Sequence, residues 1–253
     1  MERDIEDIEC TAGEMVDTRD MKVRITNRSS TPIMDDVVVS SETILPEQHA
    51  LWIHTSGCAH NFADGEYMKG LLVDYGYPFV EDRMQAELWI LNSCTVKDPS
   101  EAVFHNYVVE GQRNGKKLVV AGCVPQADAE VPWLRNLSIL GVKQIHRVLE
   151  VVEETLKGNT IQLLSLKGLP PLNLPKVRRD PFIEIVPISE GCLGHCTYCK
   201  TRFARGRLQS YPLDMICKRV EEAVADGVYE VWLSSEDTGA YGLDVRGGVG
   251  VRG

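Results

Sequence analysis

The stretch ELWILNSCTVKDPSE, residues 87–101, decides the fold because a strand, a cysteine and a helix start follow one another in it. The apolar run predicts a buried strand over 87–93, and Cys94 comes directly after it. Asp98, Pro99 and Glu101 supply the N-cap side chain, the first-turn proline and the acidic third position of a helix N-terminus. A strand that leads through a short loop into a helix is the repeating unit of α/β proteins.

The same rhythm extends through residues 50–157. Further strands are predicted at LWIHTS (51–56), KLVVAG (117–122) and ILGVKQIH (139–146), and helices at 64–76 and 147–158. Strand–helix alternation produces a parallel sheet with helices on both faces. The sequence therefore predicts an α/β fold that begins with a doubly wound parallel sheet.

Two regions next to this domain lack its pattern. Residues 1–49 are acidic and have no sustained periodicity, so we expect a mostly disordered arm in which Cys10 has no role. Residues 158–181 contain four prolines and are predicted to be a linker.

Residues 182–253 form a second predicted unit. It contains strands at 182–188 and 228–234, a helix between them, and a glycine- and arginine-rich end. Two strand–helix units cannot cover both faces of a parallel sheet, so we expect weak protection of this unit's amides against hydrogen exchange.

Composition and charge limit the classes of function. The chain has 253 residues, a net charge of −10 and eight cysteines, and it contains no apolar run of the ~18 residues that a membrane span needs. Its start lacks the features of a secretory signal, so we expect a cytoplasmic, reducing location in which cysteines bind metals or catalyse. Nine basic and four acidic residues lie within 176–219, a balance that fits a polyanionic substrate and equally a solvated surface.

Three separated cysteines each follow a predicted strand. Cys58 follows the first, Cys94 the second and Cys123 the third. Because the carboxyl ends of parallel strands meet at one edge of a sheet, these residues are predicted to converge. Unrelated buried thiols are the alternative, but they would more often lie in the middle of strands and face the core.

A second group of cysteines is contiguous in the stretch SEGCLGHCTYCKTR, residues 189–202. Cys192, Cys196 and Cys199 form a C-x3-C-x2-C run, and three thiolates fit an iron–sulfur cluster with one open iron. Zinc is the alternative, with His195 or Cys217 as a fourth ligand. His195 lies between two of the cysteines, where its ring would reach the same metal with difficulty, and Cys217 is predicted to be a core residue of a helix. The spacing favours the cluster and leaves zinc open.

Five separate motifs now resemble one family, in the family's own order. They are HNFADGEYM, LNSCTVKDP, AGCVPQ, CTYCKTRFARG and SSEDTGAYG, and the resemblance covers roughly residues 50–244. The chain resembles the radical S-adenosylmethionine methylthiotransferases, specifically the eukaryotic and archaeal threonylcarbamoyladenosine tRNA branch. The fold implied is the family's N-terminal domain followed by the start of a radical-SAM partial (β/α) barrel.

The resemblance implies two [4Fe–4S] clusters and S-adenosylmethionine as cofactors. Cys192, Cys196 and Cys199 would bind the cluster whose open iron holds S-adenosylmethionine, and Cys58, Cys94 and Cys123 would bind the cluster that carries the inserted sulfur. Glu236, Asp237 and Arg205 are candidates for contacts with S-adenosylmethionine, and no residue is assigned to catalysis. The substrate would be tRNA and the product 2-methylthio-threonylcarbamoyladenosine, and an electron donor of unknown identity would be required. We expect a monomer.

The sequence departs from the family pattern after GAYG. Family members continue through further barrel units and an RNA-binding domain, and eukaryotic members carry a C-terminal anchor to the endoplasmic reticulum, whereas DVRGGVGVRG resembles none of these. We therefore expect a truncated form that does not cleave S-adenosylmethionine by itself. The alternatives are a noncatalytic regulatory or decoy fragment and a zinc-binding interaction module.

Overall fold

The computed structural model describes residues 44–95 and 98–245, without the side chains of Asp98 and Pro99. Most of the predicted acidic arm, including Cys10, lies outside the described residues, as do the last eight residues. Within the part that is described, none of the helices has the length and apolar character needed to cross a bilayer.

The N-terminal part is a five-stranded parallel sheet, which confirms the predicted α/β class. Its strands run in chain order across the sheet. They are β1 (Leu51–Thr55), β2 (Leu88–Ser93), β3 (Lys117–Gly122), β4 (Ser138–Leu140) and β5 (Gln162–Leu163). The helices between them are α1 (Ala59–Asp74), α2 (Asp98–Arg113), α3 (Cys123–Ala127) and α4 (Val148–Leu156).

Helices cover both faces of this sheet. On one face, alternate strand residues such as Leu88 and Ile90 pack against α1 and α4. On the other, Trp89 and Leu91 pack against Phe104 and Val108 of α2. All six residues of β2 are buried, as expected for a central strand of a sheet covered on both sides.

The prediction of a strand over 139–146 is wrong beyond its first residues. β4 ends at Leu140, and Val142–Arg147 is a 3-10 helix. Val142 and Ile145 are both buried, and a spacing of three residues places them on one side of a helical turn. The buried residues of this segment therefore recur with a helical spacing, although its high apolar content favoured a strand.

The second unit contains two small sheets. Strand β6 (Ile183–Pro187) pairs in parallel with β9 (Glu230–Ser234), and β7 (Ser189–Glu190) pairs antiparallel with β8 (Gln209–Ser210). Helices α5 (Lys200–Arg205) and α6 (Leu213–Ala225) lie between these strands in the chain. The core is small and includes Leu172 from the predicted linker.

The predicted linker is attached to the rest of the chain along much of its length. It supplies β5 to the first sheet, and its later part runs along α1. The hydroxyl of Tyr67 donates to the carbonyl of Leu172 at 3.1 Å, and the backbone N–H of Val177 donates to the carbonyl of Glu66 at 3.1 Å. Helix α1 therefore lies between the first sheet and the second unit, which explains why it buries polar residues as well as apolar ones.

Candidate metal centre

The first cysteine triad, Cys58, Cys94 and Cys123, lies at the carboxyl edge of the first sheet. Cys58 occupies the N-cap position of α1, Cys94 follows β2, and Cys123 is the first residue of α3 directly after β3. A hydrogen bond to Cys94, together with burial, raises the pKa of Cys58. Burial raises the pKa of Cys123 to about 11. The thiols of Cys58 and Cys123 are therefore protonated at neutral pH when no metal is bound.

Two glycines allow these strand ends to approach one another. Gly57 has φ of 108°, and a Cβ there would overlap the side chain of Cys94. Gly122 has φ of 89°, and a Cβ there would overlap the backbone of Ser93. Both conformations are left-handed, where side chains are disfavoured. Glycine at each position thus permits the close spacing of the triad.

The second triad, Cys192, Cys196 and Cys199, lies on the loop between β7 and α5. The backbone N–H of Cys192 donates to the carbonyl of Gly206 at 3.3 Å, which ties the start of the loop to the end of α5. The thiol of Cys192 lies 3.8 Å from an Asp237 carboxylate oxygen. Cys196 is exposed, whereas Cys192 and Cys199 are partly buried.

Five of the six cysteines line a single cavity of about 340 Å³. The cavity lies between the first sheet and the second unit, so that two groups of thiols far apart in the chain face the same space. Its lining also includes polar and charged residues of both parts. The lining residues are Cys58, His60, Cys94, Cys123, Cys192, Cys199, Thr201, Arg202, Arg205, Ser234, Ser235 and Glu236.

A buried arginine joins the two sides of this cavity. Arg205 is 1% exposed; its Nη2 donates to Asp64 at 2.6 Å, and its Nη1 donates to Glu190 at 3.1 Å. Its Nε donates to the Sγ of Cys123 at 3.4 Å and lies 3.5 Å from Glu236. We call Arg205, Asp64, Glu190, Glu236 and His60 the Arg205 cluster.

His60 completes the Arg205 cluster from the first turn of α1. Its Nε2 lies 2.7 Å from Glu190, and its Nδ1 lies 3.8 Å from Glu236. Burial would lower the pKa of His60, but the charges of Glu190 and Glu236 outweigh burial and raise the pKa to about 9. Burial would likewise raise the pKa of Glu190, but His60 and Arg205 lower it to about 2. At neutral pH His60 is therefore protonated and Glu190 is ionised, and the two side chains form a buried ion pair.

The candidate S-adenosylmethionine residues occupy different environments. Glu236 lines the cavity and accepts a hydrogen bond of 2.8 Å from the backbone N–H of Gly191, which places it beside the second triad. Asp237 is in contact with Cys192. Arg205 also lines the cavity, but its guanidinium is engaged by Asp64 and Glu190, and the alternative of a solvated surface arginine is wrong.

The two candidate zinc ligands are not among the residues that line the cavity. His195 is exposed, with its Nδ1 3.5 Å from Nη2 of Arg202. Cys217 is exposed on α6, so its prediction as a core residue is wrong. Its helix presents Ile216 and Arg219 inward instead, and Cys217 falls on the other side.

The spacing of the thiols bears on the kind of metal. Within the described residues, the group of three ligand atoms all within 4.8 Å of one another is His60, Asp64 and Glu190, not either cysteine triad. A single zinc ion with bonds of about 2.3 Å to sulfur needs its thiolates closer together than that. The His60, Asp64 and Glu190 group already contains the Arg205 guanidinium as its cation.

Sequence reasoning did not single out His60, Asp64 or Glu190 as site residues. His60 and Asp64 are four residues apart and therefore share one face of α1, immediately after Cys58. Glu190 precedes Cys192 by two residues. Ionisable residues beside the predicted metal-binding cysteines were the available signal, but their pairing with Arg205 depends on how the two parts pack.

Several known proteins are similar to this chain. The family described as uncharacterized protein family UPF0004 matches residues 50–135. The threonylcarbamoyladenosine tRNA methylthiotransferase of Mus musculus is 51% identical over 212 residues, which cover 81% of this chain and 37% of that protein. The one from Drosophila melanogaster is 52% identical over 81% of this chain and 38% of that protein. A protein of Pyrococcus abyssi with the name "probable threonylcarbamoyladenosine tRNA methylthiotransferase" is 43% identical over 77% of this chain and 47% of its own length. The chain thus spans about two fifths of the length of these relatives.

Proposed function

Because this chain belongs to the same family as the threonylcarbamoyladenosine tRNA methylthiotransferases of animals and archaea, we propose that it acts in the methylthiolation of tRNA. The modified nucleoside would be threonylcarbamoyladenosine, and the product its 2-methylthio derivative. The chemistry would use radical S-adenosylmethionine and two [4Fe–4S] clusters. The setting would be cytoplasmic, and the chain would act as a monomer.

The single observation that supports this proposal most is the cavity shared by the two cysteine triads. A methylthiotransferase must place an activated carbon next to a sulfur atom, and two sites that face the same space satisfy this requirement. The donor sets fit as well, because three thiols per site leave a fourth position open for a further ligand. Deprotonation of the thiols would accompany metal binding, since burial keeps Cys123 protonated otherwise.

The residues around the cavity have separate roles in this proposal. Bound clusters and S-adenosylmethionine would supply radical formation, sulfur and methyl groups, which side chains cannot provide. Glu236, which lines the cavity, would accept hydrogen bonds from an ammonium group beside the second triad, and Asp237 would do so next to Cys192. Arg202 also lines the cavity and offers donors to a carboxylate or phosphate. The buried walls formed by Cys94, Cys123 and Arg205 limit the access of water.

Anaerobic reconstitution with iron and sulfide tests the two-cluster proposal. The unmodified chain should bind about eight iron atoms and turn brown, because each cluster holds about four. A variant with Cys58, Cys94 and Cys123 all changed to Ala should bind about four, and so should one with Cys192, Cys196 and Cys199 changed to Ala. A colourless protein that binds zinc in preference to iron would favour the zinc-binding module and reject the clusters.

A product assay separates an enzyme from a regulatory fragment. The reconstituted chain would be incubated with reductant, S-adenosylmethionine and tRNA that carries threonylcarbamoyladenosine, and nucleosides would be measured by mass spectrometry. Formation of the methylthio product assigns full activity to the chain. Two bound clusters without cleavage of S-adenosylmethionine would instead favour a noncatalytic fragment. The second outcome is the one expected from the two strand–helix units of the second part.

A further inference from the structure

The first cysteine triad belongs entirely to the N-terminal sheet, but one of its nearest polar partners does not. Cys58, Cys94 and Cys123 follow β1, β2 and β3. The donor that reaches Cys123 is Arg205, at the end of α5 in the second unit, 82 residues later in the chain. Contact between α3 and α5 brings the two together, with Ala204 packed beside Cys123 and Val142.

Arg205 is held in place from both parts. Asp64 of α1 binds Nη2, and Glu190 of β7 binds Nη1, so the guanidinium plane is fixed by carboxylates on either side. The Nε–H group donates to the Sγ of Cys123, and a Glu236 carboxylate oxygen lies 3.5 Å from the same nitrogen. His60 in turn fixes Glu190 by a contact of 2.7 Å. Every member of this arrangement is buried, which prevents water from replacing these bonds.

We infer that Arg205 is a positioning residue of the first triad's metal site, supplied to that site by the second unit. The inference rests on the proposed function and deepens it. Arg205 orients Cys123 and places a positive charge and an N–H donor next to its sulfur. Both effects stabilise a thiolate and favour the reduced state of a metal centre that the thiolate holds. The first metal site is therefore incomplete without the second unit.

The geometry requires arginine and not any cation. A guanidinium offers five N–H donors in a rigid plane, and Arg205 uses donors on three different nitrogens for Asp64, Glu190 and Cys123. The ammonium of lysine is a single point and cannot reach these three acceptors together. Lysine would preserve charge while losing the directed bond to sulfur. Replacing Arg205 with lysine therefore removes the directed bond alone, whereas replacing it with glutamine removes the positive charge as well.

The test isolates the first triad within the whole chain. Cys192, Cys196 and Cys199 are changed to Ala, so that any iron–sulfur centre formed on reconstitution belongs to the first triad. Arg205→Lys and Arg205→Gln are then added separately. Iron release to a chelator, the EPR spectrum of the reduced centre and its midpoint potential are measured. None of these readouts depends on turnover.

Arg205→Gln should release iron at least about tenfold faster, in line with other residues that orient metal ligands. Its midpoint potential should move to a more negative value, and its EPR spectrum should change. Arg205→Lys should recover part of the potential and less of the iron retention. Asp64→Asn combined with Arg205→Gln provides a second variant without an unpaired Asp64 carboxylate, in case the single change prevents folding.

Arg219→Gln is the matched control. Arg219 is also a buried arginine of the second unit; it donates to the buried Glu184 at 3.0 Å, and neither residue lines the cavity that contains the cysteines. The Arg219→Gln variant should be less stable, with an unchanged midpoint potential and EPR spectrum.

If the three-alanine background binds no iron, the two-cluster proposal fails. If it binds a cluster whose potential and iron release are unaffected by Arg205→Gln, this inference alone is overturned.

Discussion

Gly57 is the residue on which the spacing of the first triad depends most directly. Gly57→Ala would force a side chain into a left-handed backbone and into the space of Cys94. We expect destabilisation by about 2–4 kcal/mol, from strain of about 1 kcal/mol and overpacking of about 1–3 kcal/mol. Iron binding at the first triad should fall in parallel. Chemical denaturation and iron content measure the two effects.

Gly158→Ala is the control for the backbone strain. Gly158 has φ of 88° and nothing within 4 Å of an added Cβ, so only the conformational cost remains. This variant should lose about 1 kcal/mol and keep its iron. Equal losses of iron in both variants would mean that the contact with Cys94 has no special importance.

For individual residues, the sequence was sufficient to predict that the cysteines of the first triad converge, but not which residues surround them. The positions of Cys58, Cys94 and Cys123 after strands were sufficient to predict that they converge, because strand ends share an edge. The environment of Arg205 was not predictable. Its partners Asp64 and Glu190 are 141 and 15 residues away in the chain, and charge patterns carry no information about such packing.

Helix α1 depends on a glycine where it meets the connecting segment. A Cβ at Gly70 would overlap the carbonyl of Pro175, which is backbone and cannot rotate away. Gly70→Ala should therefore destabilise the chain by about 1–3 kcal/mol, despite the higher helix propensity of alanine. The midpoint of thermal or urea unfolding measures this change.

Gly111 in α2 provides the comparison for Gly70. An added Cβ there meets the end of the Leu118 side chain, which can move. Gly111→Ala should be close to neutral because alanine favours the helix by about 1 kcal/mol. A larger loss at Gly111 than at Gly70 would contradict the importance of the contact with Pro175.

Strand β6 carries a buried glutamate whose ion pairs should make stability depend on pH. Glu184 is bound by Lys176 at 2.8 Å and by Arg219 at 3.0 Å. Burial would raise its pKa, but Lys176, Arg178 and Arg219 outweigh burial and lower it below the ordinary value of 4.5. The ion pairs therefore stabilise the fold above pH 4.5, and this stabilisation is lost as the pH falls through the lower folded-state pKa.

Glu184→Gln tests this dependence. At neutral pH it should reduce the free energy of unfolding by about 3–5 kcal/mol, because three cations lose their carboxylate. Below about pH 4.5, where the unmodified chain loses the same interaction, the difference between the two should narrow. Unfolding midpoints measured at several pH values give both quantities. A difference that stays constant on acidification would show that Glu184 is not ionised in the fold.

Segments whose apolar residues fit a strand pattern alone were predicted well, whereas a segment whose apolar residues fit both a strand and a helix was not. The strands at 51–56, 87–93 and 117–122 agree with the structure to within a residue. The segment 139–146 has enough apolar residues for a strand, yet it turns after Leu140. Gly141 then donates its N–H to Leu163 of β5, a strand too short to recognise within a proline-containing region.

Across the whole molecule, protection against hydrogen exchange should decrease from the first sheet outward. β2 is buried along its length and pairs on both sides, so its amides should exchange most slowly. β6 should be intermediate because it packs on α1, whereas β9 has largely exposed side chains and pairs with β6 alone among the described strands. We expect β9 amides to exchange at least about tenfold faster than those of β2. Equal protection of β2 and β9 would mean that both parts unfold as one unit.

Binding of tRNA should show a limited salt dependence, because the basic region is smaller than its sequence indicates. Lys176, Arg178, Arg205 and Arg219 form ion pairs with acidic residues. Arg179, Lys200, Arg202, Arg207 and Lys218 are exposed or partly exposed. Five phosphate contacts give a slope of log affinity against log salt between about −3.5 and −4.5. Filter binding at several salt concentrations measures it, and a slope of about −8 would require further cations.

The attachment of residues 172–177 along α1 has a consequence for how the two triads meet. A free tether of this length would let the second unit explore a large volume, and its cysteine loop would find the first triad only part of the time. Fixing the tether to Tyr67 and Glu66 shortens its mobile part and raises the effective concentration of one triad at the other. The segment that joins the units is therefore a fixed attachment to α1 and not a flexible tether. Two separately produced halves would have to be mixed at roughly millimolar concentration to reproduce the proximity that this attachment provides.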